Sequence, residues 1–332
     1  MSDPNSPIPT STLEYYQTLP VPQYRPPRPR YWLHVLLLAL TCFTTLVMGA
    51  RMQYNFEHGR PALSVADESI PYFPASWIVT HPGRFWAGWP FAFTVMLFFL
   101  SHEMGHYLYC RYYRIRATLP FFLPAPTPIG TMGAVILIRS RIRSRAALFD
   151  VGIAGPIAGF VVAFTALLIS FGWSKPAIHG IGPADLPIGF PLIFHVARHM
   201  LASIRPEYAI AGLPLARILL HPAAIAGWVG MYATALNLLP SGQLDGGHIV
   251  YALLPRAHRA ISWATAAGLL YLGRLNYGWW FWGAVVIVMN ILGYRQQQAP
   301  EYPVLPGSRW FWGAVALLIL VLTFTISPFQ GN

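Results

Sequence analysis

Apolar stretches of about 20 residues, each long enough to span a bilayer, recur along the chain. Nothing else in the sequence restricts the fold as strongly. Hydrophobic residues make up 55% of the 332 positions and charged residues only 10%, against about 25% charged in soluble domains. The mean hydropathy is +0.47. Such a chain expects lipid as its main solvent. The net charge of +11 does not indicate nucleic acid, because the basic residues are mostly Arg in short loops beside apolar segments, where they orient a membrane protein. Cys42 and Cys110 form no CxxC pair and no disulfide framework, and read as small buried apolar residues.

The spans follow from hydropathy and loop charge. Residues 1–31, including "PVPQYRPPRPR", read as a flexible, Pro-rich cytoplasmic tail rather than a cleavable signal peptide. A first span at Trp32–Ala50 leads into an outer loop, 51–84, of mixed charge. A second span covers Phe85–Tyr109. The densest basic stretches follow, at Arg111, Arg114 and Arg116 and again at Arg139, Arg141, Arg143 and Arg145, and assign this side to the cytoplasm.

Between them, 117–138 is apolar but broken by four prolines and two glycines, which argues against a helix. The reading is a re-entrant β-hairpin that dips into the membrane against protein. A Gly-rich span at Val151–Trp173 carries Gly152, Gly155 and Gly159 on a face for close helix packing, with Asp150 as a cap or dipole partner at its start. The outer segment 174–220 holds an interfacial helix near 191–203 and is too short and too apolar for a PDZ-type module. Further spans are expected at Pro222–Leu239, Ile261–Gly273, Tyr277–Tyr294 and Trp310–Ser327.

The fold expected is an all-α polytopic membrane protein of about 6–7 transmembrane helices with a β-hairpin near a site. Its parts are the tail 1–31, a first helix and loop 32–84, a membrane core 85–254 and C-terminal helices 255–332.

The second span contains "HEMGH". Positions i and i+4 share a helix face, so His102 and His106 can both reach one zinc ion. Glu103 lies about 100° around the helix, beside such a metal. A charged group at mid-membrane costs about 2.5–3.5 kcal/mol or more, so an uncompensated trio is hard to tolerate. A catalytic zinc wants three protein ligands and an open position. Asp245, in "ALNLLPSGQLDGGHIV", is the acidic residue placed to be the third. Taken alone it reads equally as a helix N-cap. Taken with HEMGH on the same side, it reads as a ligand.

An HExxH span followed downstream by "NLLPSGQLDG" resembles the site-2 protease family of intramembrane zinc metalloproteases. The family's NxxPxxxxDG motif is matched at Asn237, Pro240, Leu244, Asp245 and Gly246. "GTMGAVI" (130–136) and "AGPIAGF" (154–160) resemble further family segments, and the likeness covers roughly Phe85 to Leu254.

The resemblance implies one Zn2+ per chain on His102, His106 and Asp245, with Glu103 as general base. Asn237 would face the substrate or its oxyanion. The strand around Gly130, Gly133 and Val135 would clamp an extended substrate. His248 is either a supporting group behind the ligands or a helix-surface histidine. The implied substrates are transmembrane proteins, such as an anti-sigma factor or a remnant signal peptide. The expected location is a bacterial cytoplasmic membrane, with the N-terminus and the site towards the cytoplasm. Family relatives without PDZ modules include chloroplast types. A metal transporter would show internal repeats and ligands spread along a path, and an inactive scaffold would lack Glu103 or a ligand. The sequence has neither feature.

Overall fold

In helical segments of an apolar chain, the backbone satisfies its own polar groups, and the ends of helices are decided by loops and caps. The computed structural model describes residues 30–142, 144–177, 188–206, 210, 212–293, 305 and 307–329. The proline-rich tail therefore lies outside the described residues except for its last two. The described part is mostly helical with two small sheets. Among the described residues, three helices are long and apolar enough to cross a membrane: α1 (Tyr31–Glu57), α3 (Trp89–Tyr112), entered through a 3-10 turn at Pro82–Gly88, and α4 (Arg145–Phe171). The other expected spans form shorter helices. These are α6 (Pro222–Leu238), α8 (His258–Leu272), α9 (Gly278–Gly293) and α10 (Gly307–Thr323).

The first helix does not end near Ala50 but continues to Glu57. Arg51, expected in the outer loop, is buried in it and donates to the Pro71 and Tyr72 carbonyls at 2.8 and 3.0 Å. Asn55 donates to Ala62 O and Ser64 O at 3.1 and 2.9 Å. Buried donors so paired extend the helix and tie down the loop that holds the short helix α2 (Ala75–Thr80).

The broken stretch after α3 forms the hairpin β1 (Phe121–Pro124) and β2 (Thr131–Val135). The strands are antiparallel, with Phe121 opposite Val135 and Phe122 opposite Ala134, and the register shifts before Pro124. The hairpin leans on α1. Thr44 Oγ1 donates to Gly130 O at 2.6 Å, and His34 stacks on Phe121. At Gly130, φ is +74° and a Cβ would stand 2.6 Å from Thr44 O, so only glycine fits.

Helix α4 begins six residues earlier than expected, capped by Ser144, whose hydroxyl accepts from Ala147 N–H. Asp150 is therefore not a cap. It lies inside α4 and accepts the Arg309 fork of α10 at 2.7 and 2.9 Å, with the Tyr113 hydroxyl donating as well.

The outer segment is closed by a second strand pair, β3 (Lys175–Pro176) and β4 (Ile218–Leu219). Helix α5 (Leu192–Ile204) lies in this segment. The main core is built where α3, α4, α5 and α6 meet, around Phe98, Leu167, Phe171, Phe194, Trp228 and Met231. Small residues let these helices approach closely. A Cβ at Gly105 of α3 would stand 2.5 Å from Ala154 O of α4.

Candidate metal centre

The helical repeat sets His102 and His106 one above the other on the face of α3 that meets α4, and both are buried. Two glycines of α4 make room for them. A Cβ at Gly155 would lie 2.1 Å from His106 Nε2, and one at Gly159 would lie 3.2 Å from His102 Nδ1. The glycine face legible in the sequence is thus more than a packing surface. Its four-residue spacing matches that of the two histidines it clears.

The Nδ1–H of His106 donates to Val151 O of α4 at 2.7 Å. That bond fixes the ring and leaves Nε2 as the free acceptor. The Nδ1 of His102 is buried and has no hydrogen-bond partner among the described residues.

Asp245 reaches the pair by a sharp return of the chain. Helix α6 ends at Leu238, a turn follows with Gly242 at φ +56°, and α7 (Asp245–Leu253) begins. A Cβ at Gly246 would lie 2.1 Å from Leu238 O, and one at Gly247 would lie 2.4 Å from Gly242 O. The Asp-Gly-Gly sequence is what allows α7 to start hard against the end of α6. Leu244 is the N-cap and Asp245 the first helical residue, which removes the N-cap alternative. Its Oδ2 lies 3.3 Å from each imidazole Nε2, and the two Nε2 atoms are 3.1 Å apart.

This donor set fits zinc. Bonds of about 2.0–2.1 Å in a tetrahedron imply donor separations near 3.3 Å, which the three atoms nearly have before any ion is considered. Two imidazoles and a carboxylate supply the three protein ligands that a catalytic zinc takes.

Glu103 is buried next to the trio, with the backbone of Ile136, just past β2, facing its carboxyl. Asn237 of α6 donates towards His102 Nε2 at 3.4 Å. The other expected site residues differ in position. Gly133 packs on Phe99 of α3, and Val135 is 42% exposed on β2. Gly130 sits at the hairpin turn against α1, where it anchors the hairpin rather than meeting the metal ligands. His248 is half-buried on α7 with its Cβ against Gly152 of α4, within electrostatic reach of Asp245 and His106.

Sequence reasoning missed several supports. Arg145 donates through Nε to Ala252 O at 2.8 Å, closing the far end of the Asp245 helix. Ser241, in the turn before Asp245, donates to Ser262 O of α8 at 3.2 Å. No local pattern distinguishes Arg145 within the Arg-rich run.

Residues 90–275 match the family model described as Peptidase family M50. The chain is similar to the probable zinc metalloprotease EGY1, chloroplastic, of Oryza sativa subsp. japonica, with 29% identity over 83% of this chain and 46% of that protein. Its counterpart in Arabidopsis thaliana is 26% identical over 83% of this chain and 48% of that protein. The probable zinc metalloprotease EGY2, chloroplastic, of Oryza sativa subsp. indica is 31% identical over 56% of this chain and 33% of that protein. The chain thus spans less than half the length of these relatives.

Proposed function

The chain belongs to peptidase family M50, and on that premise we propose that it is an intramembrane zinc endopeptidase. It hydrolyses peptide bonds in or near the transmembrane segments of other membrane proteins. The observation that carries this reading is the convergence of His102 Nε2, His106 Nε2 and Asp245 Oδ2 beside the buried Glu103. The names of the relatives, probable zinc metalloproteases, support it.

His102, His106 and Asp245 would hold the zinc, which when bound lowers the pKa of water and polarises a carbonyl. Glu103 takes the proton of the attacking water and passes it to the leaving amine. Asn237 presents its amide N–H groups on the same side and steadies the oxygen on which charge develops. A transmembrane substrate must unwind before cleavage, and β2 offers an edge for main-chain hydrogen bonds to the unwound segment. Gly133 allows that strand to lie close to α3. His248 supports Asp245 from the α4 side.

The substrates proposed are single-span membrane proteins, an anti-sigma factor or a remnant signal peptide being family-typical examples. The relatives are named chloroplastic, which does not fit the expected bacterial cytoplasmic membrane. The proposal is accordingly a multi-pass protein of a cellular membrane, with the site near the face that carries the arginines.

The test is zinc content and cleavage of a single-span reporter, in detergent or vesicles. Wild type should hold about one zinc per chain and cut. Glu103→Gln should keep the zinc and not cut, and Asp245→Ala should lose both. A wild type without zinc after metal-free purification and zinc reloading, or an Asp245→Ala variant that binds zinc normally, would overturn the reading.

A further inference from the structure

The first two turns of α4 connect three elements that bear on the metal centre. Val151 O holds the Nδ1–H of His106. The residue before it, Asp150, accepts two bonds from Arg309, Nε to Oδ1 at 2.9 Å and Nη2 to Oδ2 at 2.7 Å. Tyr113, the residue that closes α3 about two turns beyond His106, donates its hydroxyl to Asp150, and that hydroxyl lies 3.4 Å from Arg309 Nη2. The side chains of Asp150 and Arg309 are 17% and 19% exposed. A two-pronged guanidinium–carboxylate pair that is largely removed from water holds a fixed geometry, unlike a surface pair. Burial of the Tyr113 hydroxyl beside the Asp150 carboxylate raises its pKa to about 12, so it stays a donor.

Arg309 lies on α10, outside residues 90–275 that match the family model. The helix it belongs to also packs on the Asp245 helix, where Gly313 meets Leu253. Apolar side chains, among them Phe149, Ile249, Ala316 and Ile319, supply the rest of that contact.

We propose that Arg309 is a positioning residue for the metal centre. Its fork on Asp150, with Tyr113 bridging to the end of α3, sets the turn of α4 whose Val151 carbonyl orients His106. The inference rests on the reading of His102, His106 and Asp245 as metal ligands. It assigns part of the metal affinity to a C-terminal helix beyond the matched family region.

The experiment uses the full chain in detergent and measures zinc affinity by chelator competition, the absorption spectrum of the cobalt-substituted protein, and thermal unfolding of the metal-free form. Partners one step behind metal ligands typically change affinity by about 10–100-fold. Arg309→Gln and Asp150→Asn should each weaken zinc about tenfold and shift the cobalt bands. The double variant should be no worse than either single one, because the pair acts as a unit. Arg309→Lys keeps the charge but not the fork and should fall between. Arg60→Gln, which breaks the outer-loop pair with Asp67, should leave zinc binding and the cobalt spectrum unchanged.

Zinc affinity within twofold of wild type and an unaltered cobalt spectrum in Arg309→Gln and Asp150→Asn would overturn the proposal, even if both unfold at lower temperature. If Arg309→Gln does not fold, Arg309→Lys and Tyr113→Phe decide on the same two readouts. A wild type that binds no zinc would instead refute the proposed function itself, and with it the premise of this inference.

Discussion

Both ends of this helical assembly bury polar side chains, but they satisfy them in different ways. At the end that carries the 51–84 loop, the buried side chains of Arg51, Asn55 and His221 find backbone partners. Arg51 donates to the Pro71 and Tyr72 carbonyls and Asn55 to those of Ala62 and Ser64, while His221 accepts from Ala223 N–H as the cap of α6. At the other end His102, His106 and Asp245 turn acceptor atoms towards one another at 3.1–3.3 Å. Polar groups paired with carbonyls and amides serve the fold. Lone pairs gathered on one point in an apolar setting call for a cation.

The largest effect separating the two ends should come from the metal ligands. Replacing His102, His106 or Asp245 by Ala should abolish zinc binding, read as metal per chain, and reporter cleavage with it. Glu103→Gln should retain zinc and lose cleavage by about 10²–10⁴-fold, the usual range for a general base.

The next test concerns a residue with no polar group at all. Gly155→Ala places a Cβ 2.1 Å from His106 Nε2, so the ring must move. Zinc affinity should fall by more than tenfold, and overpacking should cost about 1–3 kcal/mol of stability. Gly152→Ala, whose Cβ would meet nothing nearer than His248 Cβ at 3.2 Å and Asp245 O at 3.4 Å, should do less. Equal effects at the two glycines would break the comparison.

At the outer end the signature reverses. Asn55→Ala should lower unfolding stability by about 1–3 kcal/mol, because two buried carbonyls lose their donor. Zinc content should be unchanged.

The smallest effect is a pH slope. Burial, aided by Lys175, pushes the His221 pKa from 6.5 down to about 4. The neutral ring is the form the fold accepts, and Nδ1 must stay unprotonated to receive Ala223 N–H. The unfolded chain takes up a proton below about pH 6.5 that the native chain refuses until near pH 4. Stability is therefore full above pH 6.5 and falls as pH drops towards 4. Asn in place of His221 keeps a capping acceptor without the titration. The difference in thermal stability between the two proteins should narrow or reverse from pH 7 to pH 4.5, and parallel curves would show that His221 does not titrate in this way.

These contrasts separate what was legible along the chain from what was not. HEMGH was readable because a helix repeats every 3.6 residues, so spacing alone sets His102 and His106 on one face. "LDGG" could be read only as an acid at a helix start. That the two glycines let α7 press against Leu238 O and Gly242 O, and so bring Asp245 to the histidines, is a matter of close approach between backbones. The glycines of α4 looked like a generic packing face, and only the facing helix makes Gly155 and Gly159 the clearance for two imidazoles. The charges from Arg51 onward suggest a loop starting there, and the carbonyl partners that keep Arg51 and Asn55 in the helix, 20 and 7 residues away, carry no pattern.

The sequence by itself determined the apolar character of the chain, the helical nature of most segments and the local geometry of HEMGH. Each of these depends on composition or on a period of a few residues. The tertiary structure decided the lengths of the helices and the meeting of Asp245 with two histidines more than 130 residues away, the sequence gap also bridged by the Asn237–His102 contact. It also decided the pairing of Asp150 with Arg309 across 159 residues. Such contacts are set by how whole helices pack, and the energy that selects them is spread over surfaces with no signature at any single residue.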